Sequence, residues 1–310
     1  LNADAVIEGG GVKGIGLLGA ICEAEKNGYK WRRLAGTSAG AIIASLLAAG
    51  YTAHELKKEI LELNYKKFVE KKGLQVIPLI GGALNLLRFN GVFSGDYIEE
   101  WVREKLLVKG VRTFKDLKRT LYIISSDITS GEMLVLPDDL TRYGIDPLNF
   151  SVAKAVRMSA SIPYFFRPVQ LPVVKDGKKE LHTIVDGGLL SNFPVWIFDH
   201  GREPDGPTFG FRTVSKKTGK PNKITGPFTL GFALISTMLE AHDTLHIKEH
   251  DFLRTIAVPS IGINATKFDI TMEEREKLFE SGVDAGKRFF ENWSYSQYVI
   301  RYHTYITKIN

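Results

Sequence analysis

Trp31-Arg32-Arg33-Leu34-Ala35-Gly36-Thr37-Ser38-Ala39-Gly40-Ala41-Ile42-Ile43-Ala44 changes character at its middle. Trp31 to Ala35 reads as a short strand. From Ala39 a run of small and apolar residues reaches Ala49 and stops at Gly50, which reads as a helix with a glycine terminator. Between them stands Gly36-Thr37-Ser38-Ala39-Gly40, a G-x-S-x-G pattern. A serine between a strand and a helix sits on a very tight turn, and its neighbours two residues either side must be small to avoid collision. The serine also lies at a helix N-terminus, whose free N–H groups and dipole stabilise an anion. Taken alone, the pentapeptide also fits a tight turn with an incidental serine.

Upstream, Val6-Ile7 reads as a buried strand, followed by Gly9-Gly10-Gly11-Val12-Lys13-Gly14 and a helix over 17–28. Strand, helix, strand, helix predicts a parallel sheet with crossover helices. Gly9, Gly11 and Gly14 form G-x-G-x-x-G, which dinucleotide folds also use. Those folds place an acidic residue at the end of the second strand, and here that strand runs into Gly36-Thr37-Ser38. The glycine loop is better used as an oxyanion hole made by the N–H groups of Gly10 and Gly11. Lys13 adds positive potential there or is simply a solvated lysine.

A nucleophile needs a base. Asp186-Gly187-Gly188 follows the strand over 181–185, and an aspartate at a strand end beside glycines suits that role, although Asp-Gly is also an ordinary turn. No histidine is a good alternative. His182 stands four residues before Asp186, about 13 Å along a strand.

The three motifs, in this order and spacing, together with Arg157-Met158-Ser159-Ala160-Ser161-Ile162-Pro163 and Phe165-Phe166-Arg167-Pro168-Val169, resemble the patatin-like phospholipases over roughly residues 6–194. The resemblance implies a three-layer α/β/α fold with a mainly parallel central sheet. It implies a serine–aspartate dyad without histidine, and a lipid acyl hydrolase of phospholipase A or lysophospholipase type that works through an acyl-enzyme without metal or cofactor. Ser38 would attack the ester, Asp186 would take the proton and later activate water, and Gly10 and Gly11 would hold the oxyanion. The chain departs from many relatives at Glu8, where aspartate is common, and at Lys13, where arginine is. The competing readings are an acyltransferase using the same serine, and a silent lipid-binding protein. Asp186-Gly187-Gly188 argues against the first and the intact pair against the second.

The rest of the chain bounds these readings. Its 310 residues, 44% hydrophobic, suit a globular protein read as one domain over 1–310. The net charge of +6 favours anionic partners, whether lipid surfaces, nucleic acid or acidic substrates; the resemblance implies a phospholipid or other acyl lipid and a peripheral membrane surface rather than nucleic acid. One cysteine, Cys22, excludes an intrachain disulfide and reads as a small core residue. No stretch is apolar enough to span a membrane. No basic leader precedes Val6, so a cytoplasmic or peripheral-membrane protein is expected, with secretion by a non-classical route left open.

Further expectations are an amphipathic helix over 52–68 and a helix from Ser94 to 107. A strand over 121–126 is expected to pair with 133–136. Other helices are expected over 151–159, 227–241 and from Thr271 to 293, with strands at 209–211 and 256–258. Residues 73–89 are apolar, broken by Pro78 and Gly81-Gly82 and flanked by Lys71, Lys72 and Arg88. They suit a lid or membrane-contacting segment, or a core helix with a break. Tyr164, Phe165 and Phe166 would line an acyl groove or pack. Residues 201–227 read as a surface loop.

Overall fold

The structure is a computed structural model that describes residues 1–69, 90–175, 178–199, 204, 206–214, 224–226, 229–231, 233, 234, 237 and 253–309. The expected segments at 73–89, and most of 201–227 and 227–241, lie outside the described residues.

The first strand, β1 (Asn2–Ile7), leads through a glycine turn into α1 (Gly14–Lys26). Next come β2 (Lys30–Thr37), α2 (Ala39–Ala49) and α3 (Ala53–Leu61). The middle of the chain contributes β3 (Gly91–Phe93), α4 (Asp96–Val108), β4 (Thr120–Asp127), β5 (Glu132–Leu136) and α5 (Val152–Ser159). Three strands follow, β6 (Tyr164–Phe166), β7 (Val169–Lys175) and β8 (Lys178–Asp186), and then β9 (Thr208–Val214) and β10 (Thr255–Pro259). Two helices, α6 (Met272–Asn292) and α7 (Tyr295–Ile309), come last.

Eight strands form one sheet in the order β10-β9-β1-β2-β4-β8-β7, with β5 folded back on β4. The pairs β10–β9, β9–β1, β1–β2 and β2–β4 are parallel, and the pairs β4–β8 and β8–β7 are antiparallel. This is an α/β fold with a mixed, mostly parallel sheet flanked by helices. Alternation along β1 sets its two faces. Ala3, Ala5 and Ile7 enter the main core with α1, α2 and α6, while Val6 joins a smaller cluster with Ala35, Ile124, Ile197 and Phe198.

Helix α2 is buried nearly all round, as expected for an apolar helix without a polar face. The helices α1 and α6 cross at contact distance through glycines. A Cβ on Gly19 would stand 2.1 Å from Phe279 O, and one on Gly282 would stand 1.8 Å from Gly16 O. Helix α1 starts at Gly14, three residues earlier than periodicity predicts, and Gly16 in this added turn also lies against α6, where a Cβ would stand 3.1 Å from Leu278 O. Cys22 is half-buried against the core, and burial pushes its thiol up to about 12.

The structure departs from one local reading and adds two elements that the sequence did not suggest. The helix expected to reach residue 68 ends at Leu61, where Arg275 Nη1 caps the carbonyls of Leu61 and Leu63 at 2.6 and 3.0 Å and a 3-10 turn (Tyr65–Val69) follows. The strand β7 carries Pro172, which hides it from a strand pattern but is tolerated because β7 is the sheet edge. Helix α7 follows a break at Trp293, where Ser294 Oγ accepts the N–H of Gln297 at 3.5 Å.

Candidate active site

Ser38 stands between β2 and α2 with φ 53° and ψ −121°. A non-glycine residue in that region is strained and is held there by its surroundings. Two glycines make the turn sterically feasible. A Cβ on Gly36 would lie 2.4 Å from Gly40 O, and one on Gly40 would lie 2.2 Å from Ile7 O. The Ser38 N–H does not face solvent. It donates to Ser159 Oγ at 2.8 Å, and Ser159 Oγ in turn donates to Ile124 O at 2.5 Å. The end of α5 therefore fixes the turn from behind.

Asp186 ends β8. It is opposite Ser125 on β4, and Thr37 of β2 pairs with the adjacent Ile124. The antiparallel return of β8 thus brings Asp186 to the level of Ser38. Gly187 rests on the β4 backbone, where a Cβ would stand 2.2 Å from Ile124 O. The carboxylate is buried. Its Oδ1 accepts the Gly188 N–H at 2.8 Å, and the Asp186 N–H donates to Ser161 O at 2.9 Å. Burial raises the carboxyl to about 6, opposed by the Ser38 hydroxyl and the Gly188 N–H. Oδ2 meets no partner at ordinary hydrogen-bond geometry, so the Ser38 contact is looser than that to Gly188. Such contacts commonly tighten only when substrate is bound.

The glycine loop closes on the same point. A Cβ on Gly9 would lie 3.2 Å from Ser38 Cβ. The Gly9 N–H donates to Asn192 O, the Val12 N–H to Ala265 O and the Lys13 N–H to Gly10 O, at 3.2, 3.0 and 3.1 Å. None of these bonds uses the N–H of Gly10 or Gly11. Gly11 has φ +55°, and a Cβ there would strike Ala265 O at 2.1 Å. Gly14 lies against Ala39, and Lys13 folds back so that its Cε comes near Gly10.

The structure thus brings together Gly9, Gly10, Gly11, Lys13, Gly36, Ser38, Gly40, Asp186, Gly187 and Gly188. Beside Ser38 opens a half-open cleft of about 600 Å³, open solvent included. Its walls include Val12, Ile15, Ile42, Ile43, Ile98 and Trp101. Of the three aromatic residues flagged in the sequence, Phe166 lines this cleft, Phe165 packs on Phe93, and Tyr164 is 42% exposed with φ 64°.

His182 is elsewhere engaged. Its Nδ1 lies 2.6 Å from Asp127 Oδ2, which also accepts from Tyr143 and Ser130 at 2.7 and 2.8 Å. His54 and His303 are exposed or lie on α7, and the other four histidines fall outside the described residues.

Sequence reading missed the residues that brace this site. Ser159 holds the Ser38 turn. Asn192 Nδ2 donates to Gly9 O at 3.2 Å, and Thr37 Oγ1 donates to Ser191 O at 3.1 Å. Arg157 donates to Ser161 Oγ, to Ser94 O and to Arg167 O, and its burial lowers its pKa to about 10. Glu8 Oε2 accepts the Thr213 N–H at 2.6 Å and so ties β1 to β9 at the edge carrying the glycine loop. Ser159 and Arg157 lie in a segment already marked by its resemblance. Glu8 stood out in the sequence only as a departure from the family pattern, and Asn192 gave no signal of its own, because its partner Gly9 is distant in the chain.

Among known proteins, the chain is 41% identical to YqhO, an uncharacterized protein of Bacillus subtilis (strain 168), over 94% of this chain and 99% of that one. It is 26% identical to the probable lipid hydrolase 463L of Invertebrate iridescent virus 6, over 62% of this chain and 61% of that one. VipD from Legionella pneumophila shares the fold with a TM-score of 0.54 at 16% identity, over 94% of this chain, which spans 66% of VipD. The profile of the Patatin-like phospholipase family matches residues 5–199. That stretch holds the glycine loop, the Ser38 turn and Asp186, and the chain belongs to the patatin-like phospholipase family.

Proposed function

We propose that the protein hydrolyses fatty-acyl esters of lipids through Ser38 and Asp186. One observation carries this reading: a strained serine at the wall of an apolar cleft lies beside a buried carboxylate whose proton affinity is raised to about 6. A carboxyl so tuned accepts a proton near neutral pH more readily than an ordinary aspartate.

The Ser38 hydroxyl attacks the ester carbonyl as Asp186 takes its proton, giving a tetrahedral oxyanion. The N–H groups of Gly10 and Gly11 stabilise that charge, a donor of this kind being worth about 2.7–4 kcal/mol. Collapse returns the proton from Asp186 to the leaving alkoxide and leaves an acyl-Ser38 ester. Water, deprotonated by Asp186, attacks this ester, releases the fatty acid and restores the hydroxyl. The apolar cleft supports the lipid assignment, because it offers a hydrocarbon chain a water-free wall next to the reacting carbon.

The test is fatty-acid release from mixed phospholipid vesicles by the parent protein and by Ser38→Ala. Release that is lost in the variant supports the reading. Equal release from both removes Ser38 from the mechanism. Acyl transfer to an added alcohol in preference to water would redirect the assignment to an acyltransferase.

A further inference from the structure

The cleft beside Ser38 has an aromatic wall with a direction. It begins at Phe166, whose N–H bonds Ile162 O at 2.9 Å, one residue past the Ser161 that accepts the Asp186 N–H. From there the ring centroids step to Phe268 at 6.3 Å, from Phe268 to Phe68 at 6.0 Å, and from Phe68 to Tyr65 at 5.7 Å. All four rings line the cleft. One end of the row is thus tied to the segment that holds Asp186, and Tyr65 stands at the other.

Tyr65 is clamped. Its hydroxyl donates to Ile60 O at 3.2 Å, and the Arg275 guanidinium lies over its ring, 4.8 Å from the centroid. Arg275 is itself held by the carbonyls of Leu61, Leu63 and Ile270, at 2.6, 3.0 and 3.2 Å. A ring fixed on its edge and its face cannot swing aside for a longer chain, and a charged group lies behind it.

Building on the proposed hydrolase, we propose that Tyr65 determines acyl-chain length: one chain runs from Ser38 along the aromatic wall and ends against the Tyr65 ring. The occupant is a single unbranched acyl chain. Along the row of four rings the one polar group, the Tyr65 hydroxyl, is already bonded to the backbone, so this wall offers a hydrocarbon no competing partner.

The test is equilibrium binding of saturated fatty acids, from octanoate to stearate, to Ser38→Ala, which cannot turn over. Tyr65→Ala, Tyr65→Leu and Tyr65→Trp are compared in that background. Affinity should rise about fourfold per methylene, the value of one buried CH2, and then level off at a defined length. Tyr65→Ala or Tyr65→Leu moves that break to longer chains, and Tyr65→Trp moves it to shorter ones. Affinity rising through stearate without a break overturns the proposal, as does a break that stays in place in folded variants or a parent that binds no fatty acid. A break that moves with residue 65, in a protein that releases no fatty acid from any ester, keeps the chain-length assignment and rejects the hydrolase.

Discussion

The backbone N–H of Ser38 donates to the side chain of Ser159 at 2.8 Å. The bond occupies the amide of the strained residue itself, so the two serines act as turn and brace. Ser159→Ala leaves this N–H buried without an acceptor, which costs about 1–3 kcal/mol. Urea unfolding should show that loss. Turnover of a soluble ester should fall with KM little changed, because the defect lies in the placement of the hydroxyl. An unchanged kcat would show that the turn holds its shape without Ser159.

Asp186 couples activity and stability in opposite directions. Its carboxyl is raised from 3.8 to about 6, chiefly by burial. Protonation on folding therefore contributes stability below pH 3.8, and that contribution is lost as pH rises through about 6. As the proposed base, Asp186 must be ionised, so the rate on a soluble ester should fall below about pH 6, tenfold per unit. Asp186→Asn should abolish turnover yet melt at a higher temperature than the parent at pH 8, its stability raised by on the order of 3 kcal/mol. A lower melting point in the variant would contradict the burial argument.

Two glycines separate folding from chemistry. A Cβ on Gly187 would stand 2.2 Å from Ile124 O, whereas one on Gly10 has its nearest neighbour at 3.6 Å, a methylene of Lys13. Gly187→Ala should destabilise by about 1–3 kcal/mol or more. Gly10→Ala should unfold like the parent, and any loss of kcat should be traced to crowding of the oxyanion site, on the scale of 10²-fold. Equal melting points for the two variants would reject this distinction.

His182 and Asp127 link β8 to β4 beyond the candidate base. The hydrogen bond to Asp127 raises the imidazole pKa, although burial opposes it. The stability it contributes is complete below the ordinary histidine pKa of about 6.5 and is lost as pH rises through the raised folded value. Replacing His182 with alanine should flatten this alkaline decline in thermal melts, and an unchanged slope would place the titration elsewhere.

Local chemistry made much of the site legible in the sequence. A tight strand-to-helix turn requires small residues around Ser38, and the proposed oxyanion cradle requires Gly10 and Gly11 without side chains. Both demands act within a few residues, so they leave a pattern in the chain. The parallel start of the sheet was legible for the same reason, because strand and helix periods alternate cleanly from Val6 to Ala49. What joins distant segments left no such pattern. That Asp186 reaches Ser38 depends on β8 returning antiparallel along β4, and burial in the folded chain raises the proton affinity of its carboxyl. The brace of Ser159, the Asn192 tie to the glycine loop and the row of rings from Phe166 to Tyr65 likewise arise from residues brought together by packing. The sequence determined which groups are present and which local turns can form. The tertiary structure decided their distances, their burial and the direction of the cleft, because desolvation and contact are properties of the assembled core.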